Sequence, residues 1–177
     1  MAFLKLKLNT KNEGSRQAEL MRLKDVAEKL DLPIILKIGG VEAVTDIYNA
    51  LALGVKGIIA PMAETGFAAS KFLDAIDTFV PEDNQKDIEF AINIETITAY
   101  KNLDEILSLK KLKLLTSLTV GRVDFGGSLR ADRSFSNSDE MLKYCSEIFQ
   151  KAKSKNLKTA LGGAIATEAI PFIKKLN

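Results

Sequence analysis

Six short apolar segments, each typical of a buried β-strand, alternate with helix-like segments along the chain. This order predicts parallel strands joined by right-handed crossover helices. Two architectures satisfy it, a (β/α) barrel and an open, doubly wound parallel sheet. The expected strands are Phe3–Leu8, Ile34–Ile38, Gly57–Ala60, Phe90–Ile94, Leu114–Val120 and Thr159–Leu161.

Polar and turn-forming residues mark where the helices between these strands begin. We expect Thr65 to cap one helix and either Ser136 or Ser138 to cap the longest one. Two stretches, 81–87 and 121–137, are polar or rich in Gly, and we expect loops there. The second of these interrupts the regular strand–helix rhythm.

The length of 177 residues is short for a complete barrel. At about 30 residues per strand–helix unit, eight units need roughly 200 to 250 residues, so about two units are missing. No linker or low-complexity tract divides the chain, and we expect residues 1–177 to form one incomplete (β/α)-barrel-like domain. A fragment, a natural short relative and a barrel completed by another subunit remain open as explanations.

The chain contains no His and one Cys. These counts exclude Ser-His-Asp and Cys-His catalysis, an internal disulfide framework, and zinc sites built on imidazole or Cys clusters. Cys145 lies on the apolar face of a predicted helix, and we expect it in the core. Any metal must therefore be bound by oxygen, and any acid or base must be Asp, Glu, Lys, Tyr, Cys or water.

The 25 basic and 23 acidic residues nearly balance, with a net charge of +2. Such a balance gives no reason to expect nucleic acid or a membrane surface as partner. No segment approaches the roughly 20 apolar residues of a membrane span, and the first residues do not resemble a signal peptide. We therefore expect a soluble, cytoplasmic protein.

Two predicted strands end in acidic residues, and functional sites of parallel folds lie at strand ends. Glu95 follows one strand and Asp124 follows the next. Neighbouring carboxylates repel unless a proton or a cation lies between them, and Mg²⁺ is the natural partner where His and paired Cys are lacking. The competing interpretation is an ordinary helix N-terminal acid at Glu95 and a turn residue at Asp124.

Lys37 interrupts an otherwise apolar strand. A buried Lys needs a carboxylate, a ligand or access to solvent. It is expected either to bind an anionic substrate or to pair with a neighbouring acid. Gly39 and Gly40 follow it and can offer backbone N–H groups to an anion. The P-loop and Rossmann fingerprints are lacking, which disfavours nucleotide binding.

The strand ends taken together resemble the HpcH/HpaI aldolase and citrate lyase beta-subunit family. Order and spacing match over most of the chain. The segments that carry the resemblance are LKIGGVEA at 36–43, GIIAPMAET at 57–65, IET at 94–96 and GRVDF at 121–125. Members of that family are pyruvate/phosphoenolpyruvate-binding (β/α)8 barrels, so the resemblance favours the barrel, truncated to about six units.

The resemblance implies a carbon–carbon lyase that acts on a small 2-oxo acid or acyl-CoA through a metal-stabilised enolate. The cofactor would be Mg²⁺ or Mn²⁺, and the partner a small anionic substrate. The implied residues are Glu95 and Asp124 for the metal, Lys37, Gly39, Gly40 and Arg122 for the substrate, and Lys37 and Arg122 for catalysis.

Three departures from the family pattern support a second hypothesis. Lys37 stands where the family commonly has an Arg, the family's catalytic His is lacking, and the final barrel units are missing. The alternative is a non-catalytic barrel relative or fragment that acts as a binding or assembly module. An unclosed sheet edge pairs readily with another chain, so we expect a homo-oligomer.

Overall fold

One parallel sheet organises the computed structural model, which describes residues 6–9 and 17–176. Each strand pairs with the next strand along the chain. The strands are β1 (Leu6–Asn9), β2 (Ile34–Lys37), β3 (Gly57–Ala60), β4 (Glu89–Ile94), β5 (Ser117–Gly121) and β6 (Lys158–Gly162). Residues 3–5 of the first expected strand lie outside the described residues.

Helices follow the strands as the sequence pattern predicts. They are α1 (Gln17–Lys29), α2 (Val44–Leu53), α3 (Gly66–Phe79), α4 (Glu82–Asp87), α5 (Ile97–Lys101), α6 (Leu103–Leu107), α7 (Arg122–Ser128), α8 (Asp139–Ser154) and α9 (Ile170–Lys175). Single 3₁₀ turns occupy Leu112–Leu114, Arg133–Asn137 and Thr167–Ala169. Within the described residues, no helix combines the length and the apolar character that crossing a membrane requires.

The strand order distinguishes the two expected architectures. A doubly wound sheet reverses its strand order at a switch point, whereas a barrel adds each strand beside the previous one. Here the order runs from β1 to β6 without a reversal. The open, doubly wound alternative is therefore wrong, and the fold is a (β/α) barrel type with six strands, in which β1 and β6 lie at the two ends of the described sheet.

The two faces of the sheet differ in polarity because successive side chains point to opposite sides of a strand. On the outer face, Leu36, Ile58 and Ile92 are fully buried in the apolar core that the sheet and helices share. On the inner face, the buried side chains include Lys37 and Asn93. The apolar core is thus on the helix side, and the polar groups gather inside the barrel wall.

Two predicted helix caps are confirmed. The Thr65 hydroxyl accepts a hydrogen bond from the backbone N–H of Ala68 at 3.0 Å, at the start of α3. Ser138 accepts from the N–H of Met141 at 3.1 Å, which decides between the two candidate caps of α8. Both helices therefore begin where a side chain satisfies an otherwise unpaired backbone donor.

Two predicted loops are wrong. The stretch 81–87 contains α4, whose first turn carries Glu82 and Asp83, and acidic residues stabilise that end of a helix. The stretch 121–137 contains α7 and a 3₁₀ turn, although its glycines favour a loop. Phe125 of α7 is fully buried, so tertiary packing overrides the weak local propensity.

Cys145 should be chemically inert in the folded protein. Its side chain is fully buried in α8, and burial raises the pKa of the thiol to about 12. Because only the thiolate reacts, we expect no labelling by Ellman's reagent at pH 8 and complete labelling in guanidinium chloride. Rapid labelling of the native protein would show that the helix does not pack as described.

Candidate functional site

A cavity of about 80 Å³ opens where β4, β5 and β6 end. Such a volume accommodates a cation with water or a small ligand group. The residues around it are Lys37, Asn93, Glu95, Thr119, Gly121, Val123, Asp124, Gly162 and Gly163. A cleft of about 1000 Å³ lies at the opposite ends of β4 to β6, but several of its charges, such as Lys111 and Lys158, form exposed ion pairs. The small cavity is therefore the better candidate site.

The Glu95 carboxylate is the central group of this cavity. Only 1% of the residue is exposed. Oε1 accepts a hydrogen bond from the backbone N–H of Met62 at 3.1 Å, and Oε2 accepts one from Nδ2 of Asn93 at 2.9 Å. Nζ of Lys37 lies 3.3 Å from Oε2 and 3.5 Å from Oε1. Three donors from three successive strands or their ends thus stabilise one buried negative charge.

Lys37 reaches Glu95 from further down the barrel wall. Lys37 on β2 lies level with Ile59 on β3, and Ile59 lies level with Ala91 on β4. Glu95 comes four residues after Ala91. The long Lys stem bridges this offset along the inner face. Lys37 is 7% exposed, so the ion pair is buried at both partners, and the expectation that this Lys pairs with an acid is met.

The backbone around Glu95 is fixed on both sides. Thr96, the next residue, caps α5 by accepting from the N–H of Ala99 at 3.1 Å. Gly121 on β5 lies against the Glu95 side chain, and a Cβ added there would be 2.7 Å from both Cβ and Oε2 of Glu95. A larger residue at position 121 would therefore displace the Glu95 side chain.

Asn93 contributes a second polar group and an unsatisfied atom. Its Nδ2 donates to Glu95, but its buried Oδ1 has no hydrogen-bond partner in the structure. A buried acceptor without a partner costs free energy unless a ligand or water supplies a donor or a positive charge. Because Asn93 lines the cavity, this oxygen is available to a ligand inside it.

Asp124 lines the same cavity as Glu95 but in a different environment. It lies in the first turn of α7 and is exposed to solvent. The structure thus brings the two predicted carboxylates to one cavity, one buried and one at its rim. Asp124 belongs to a helix rather than to the turn that the competing interpretation assumed.

Arg122 is fully buried and does not itself line the cavity, but it binds the carbonyl oxygen of Gly163, which does. Nη1 donates to the carbonyl oxygen of Ser136 and to Oδ1 of Asn137, at 2.8 and 2.7 Å. Nη2 donates to the carbonyl oxygens of Gly163 and Ala164, at 2.6 and 3.1 Å. The guanidinium therefore ties the start of α7 to two loops at the mouth of the site, and its burial lowers its pKa.

The remaining predicted residues, Gly39 and Gly40, follow β2 and do not line the cavity. The backbone N–H of Gly39 donates to Oδ2 of Asp46 at 2.7 Å, so a side chain of α2 already accepts from it. A Cβ added to Gly40 would have no described atom within 4 Å apart from its chain neighbours. Their assignment to substrate remains a prediction.

Thr119 is a site residue that sequence reasoning missed. It lies on the inner face of β5, 6% exposed, and pairs in register with Asn93. The one available signal was a polar residue between Leu118 and Val120 in an apolar strand. That signal does not show which face of the sheet is the inside of a barrel.

A sequence profile of the HpcH/HpaI aldolase/citrate lyase family matches residues 20–168. The chain belongs to this family. The match includes the strand ends that carry Lys37, Glu95 and Asp124. Among curated proteins, no significant match to the chain was found.

Solved structures show the same fold at low sequence identity. The citrate synthase SbnG is 17% identical with a TM-score of 0.80, and the alignment covers 97% of this chain and 72% of that one. An HpcH/HpaI aldolase from Desulfitobacterium hafniense DCB-2 is 12% identical with a TM-score of 0.77, covering 96% and 72%. A malate synthase from Haloferax volcanii, solved as a magnesium/glyoxylate complex, is 11% identical with a TM-score of 0.68, covering 96% and 57%.

Replacing Gly121 with Ala should disturb the site through Glu95. The new methyl group would overlap the Glu95 side chain, and we expect the free energy of unfolding to fall by about 1–3 kcal/mol. Gly127→Ala in α7 is the matched control, since nothing lies within 4 Å of its added Cβ. Urea denaturation measures both. Equal stability of the two variants would contradict the close approach of β5 to Glu95.

Replacing Arg122 with Lys should destabilise the fold although the charge is kept. An ammonium cannot make the four forked contacts of the guanidinium, so we expect a loss of at least about 2 kcal/mol in unfolding free energy. Exposed Arg133→Lys is the control and should change stability little. A wild-type unfolding midpoint for Arg122→Lys would remove the case for a structural role.

Proposed function

We propose that the chain is a carbon–carbon lyase that acts on a small 2-oxo acid or acyl-CoA through an enolate of the substrate. The observation that supports this most is the buried Glu95 carboxylate at the barrel mouth, facing one small cavity together with Asp124 and Lys37. Family membership supports chemistry at a carbon–carbon bond. The site offers opposite charges within a space suited to a small anionic molecule.

The donor atoms of the cavity fit a hard divalent cation, Mg²⁺ or Mn²⁺. We propose that Glu95 and Asp124 hold it. In the described part of the chain, His, Cys, Asp and Glu form no group of three around a metal position, so other oxygens must complete the shell. The orphaned Oδ1 of Asn93 suits this, since such cations prefer carboxylate, amide and water oxygens. When bound, the cation supplies a Lewis acid for the carbonyl beside the reacting bond.

Lys37 supplies the positive charge that binds the anionic group of the substrate. Its burial strengthens that attraction, because charges interact more strongly away from bulk water. A Lys ammonium is a point charge on a flexible stem and lacks the bidentate fork of Arg. We therefore propose that it binds the carboxylate or acyl-CoA anion without fixing one orientation.

Proton transfer at the substrate must proceed without His. We propose that a water molecule in the cavity, positioned by the hydroxyl of Thr119, accepts or returns the proton. Thr119 lines the cavity. Beside a positive charge such a water would release a proton to solvent, and the hydroxide that remains would take up the substrate proton and become water again.

The other predicted residues, Arg122, Gly39 and Gly40, do not line the cavity. We propose that Arg122 is a positioning residue, since its donors bind the loops around Ser136 and Gly163. Direct contact of the substrate with Arg122, Gly39 or Gly40 remains a prediction. We also propose a cytoplasmic, homo-oligomeric protein that forms one incomplete barrel domain and does not act on nucleic acid or membranes.

Exchange of the methyl hydrogens of pyruvate in D₂O tests the proposal directly. Formation of the enolate makes these hydrogens exchange, and we expect Mn²⁺-dependent exchange that falls on the order of 100-fold in Asp124→Asn and in Glu95→Gln. Asp124 is exposed, so its variant should fold normally, and exposed Glu168→Gln is the control. Proton NMR measures the rate.

Absence of exchange with pyruvate, together with absence of turnover of oxaloacetate and short acyl-CoA thioesters, would contradict the lyase. That outcome would favour the non-catalytic binding or assembly module.

A further inference from the structure

The Lys37 ammonium contacts the carboxylate of Glu95, which we propose as a metal ligand. Nζ is within 3.5 Å of both Glu95 oxygens, and the two residues are 7% and 1% exposed. Each Glu95 oxygen also accepts a second donor, from Met62 or Asn93. The structure thus shows Glu95 neutralised by a cation of the chain itself.

Although Lys24–Glu28 is longer still at 3.5 Å, the contact between Lys37 and Glu95 is longer than most ion pairs at the surface of the described chain. Its shortest distance is 3.3 Å, whereas Lys111–Asp77 is 2.7 Å and Lys71–Glu42 is 2.9 Å. The ammonium lies between the two oxygens and does not close tightly on either. This arrangement suits a counter-ion that pairs with the carboxylate but is released when a stronger cation arrives.

We infer that Lys37 is an internal counter-ion that competes with the divalent cation for Glu95, and that metal binding frees its ammonium for the anionic substrate. This inference rests on the proposed function, because it takes Glu95 as a metal ligand. The flexible four-carbon stem of Lys allows such a change of partner within the cavity.

The net charge of the cavity changes sign when the divalent cation binds. Glu95, Asp124 and Lys37 together carry one net negative charge, and a divalent cation changes this to one net positive charge. The site without the divalent cation therefore repels an anionic substrate, and the site with the cation attracts it. Metal and substrate are then coupled, and each raises the affinity of the other.

Binding of Mn²⁺ alone to the full chain tests the competition. Lys37→Met removes the competing charge at similar size, and we expect its Mn²⁺ affinity to exceed that of the wild type about tenfold or more. Lys71→Met, which removes the same charge from an exposed ion pair, should stay within about twofold of the wild type. Isothermal titration and the electron paramagnetic resonance signal of free Mn²⁺ both measure this.

Each outcome decides between the inference and the function on which it rests. Tighter binding in Lys37→Met that is lost again in the double variant with Glu95→Gln supports the inference. Unchanged or weaker binding in a folded Lys37→Met overturns it and leaves the proposed metal site intact. No Mn²⁺ binding by either protein overturns the metal site itself. If circular dichroism shows that Lys37→Met is unfolded, Lys37→Gln, whose amide can still donate to Glu95, provides the same comparison.

Discussion

The buried charge of Glu95 is the constraint on which the mouth of this barrel depends. A carboxylate removed from water is costly unless it is paired and hydrogen-bonded. Its donors come from Lys37 on β2, Met62 just after β3 and Asn93 on β4. Three neighbouring strands must therefore keep their registers, with Lys37 level with Ala91 and Asn93 two residues further along. A shift of β2 or β4 by one residue would turn its donor side chain to the opposite face.

Much of the fold follows from the sequence because the signals are local and repeated. Apolar strands alternate with helices, and Thr65 and Ser138 mark helix starts through bonds within a few residues. The wrong loop at 121–137 failed for the opposite reason, whereas the one at 81–87 overlooked a local signal, the acidic first turn of α4. The helix that begins at Arg122 depends on contacts with residues more than ten positions away, such as Ser136 and Gly163, which no local pattern encodes.

Some of the residues that line the cavity were predictable from the sequence, whereas Thr119 and the contacts between the residues were not. Strand ends are where parallel folds collect functional groups, which points to Lys37, Glu95 and Asp124. The pairing of Lys37 with Glu95 was not predictable, because the register sets Lys37 level with Ala91 and only the length of the side chain closes the gap. The role of Gly121 likewise appears only once β5 lies beside Glu95.

A lysine at position 37, rather than an arginine, makes it feasible for a divalent cation to replace the side-chain cation at Glu95. A guanidinium facing Glu95 would form two parallel hydrogen bonds, and such bidentate pairs are strong and fixed in geometry. The Lys37 ammonium instead lies at 3.3 and 3.5 Å from the two oxygens while Met62 and Asn93 hold the carboxylate in place. Those two neutral donors keep Glu95 oriented after the ammonium leaves. The departure from the family's usual residue thus fits a site in which one fixed carboxylate serves two successive cations.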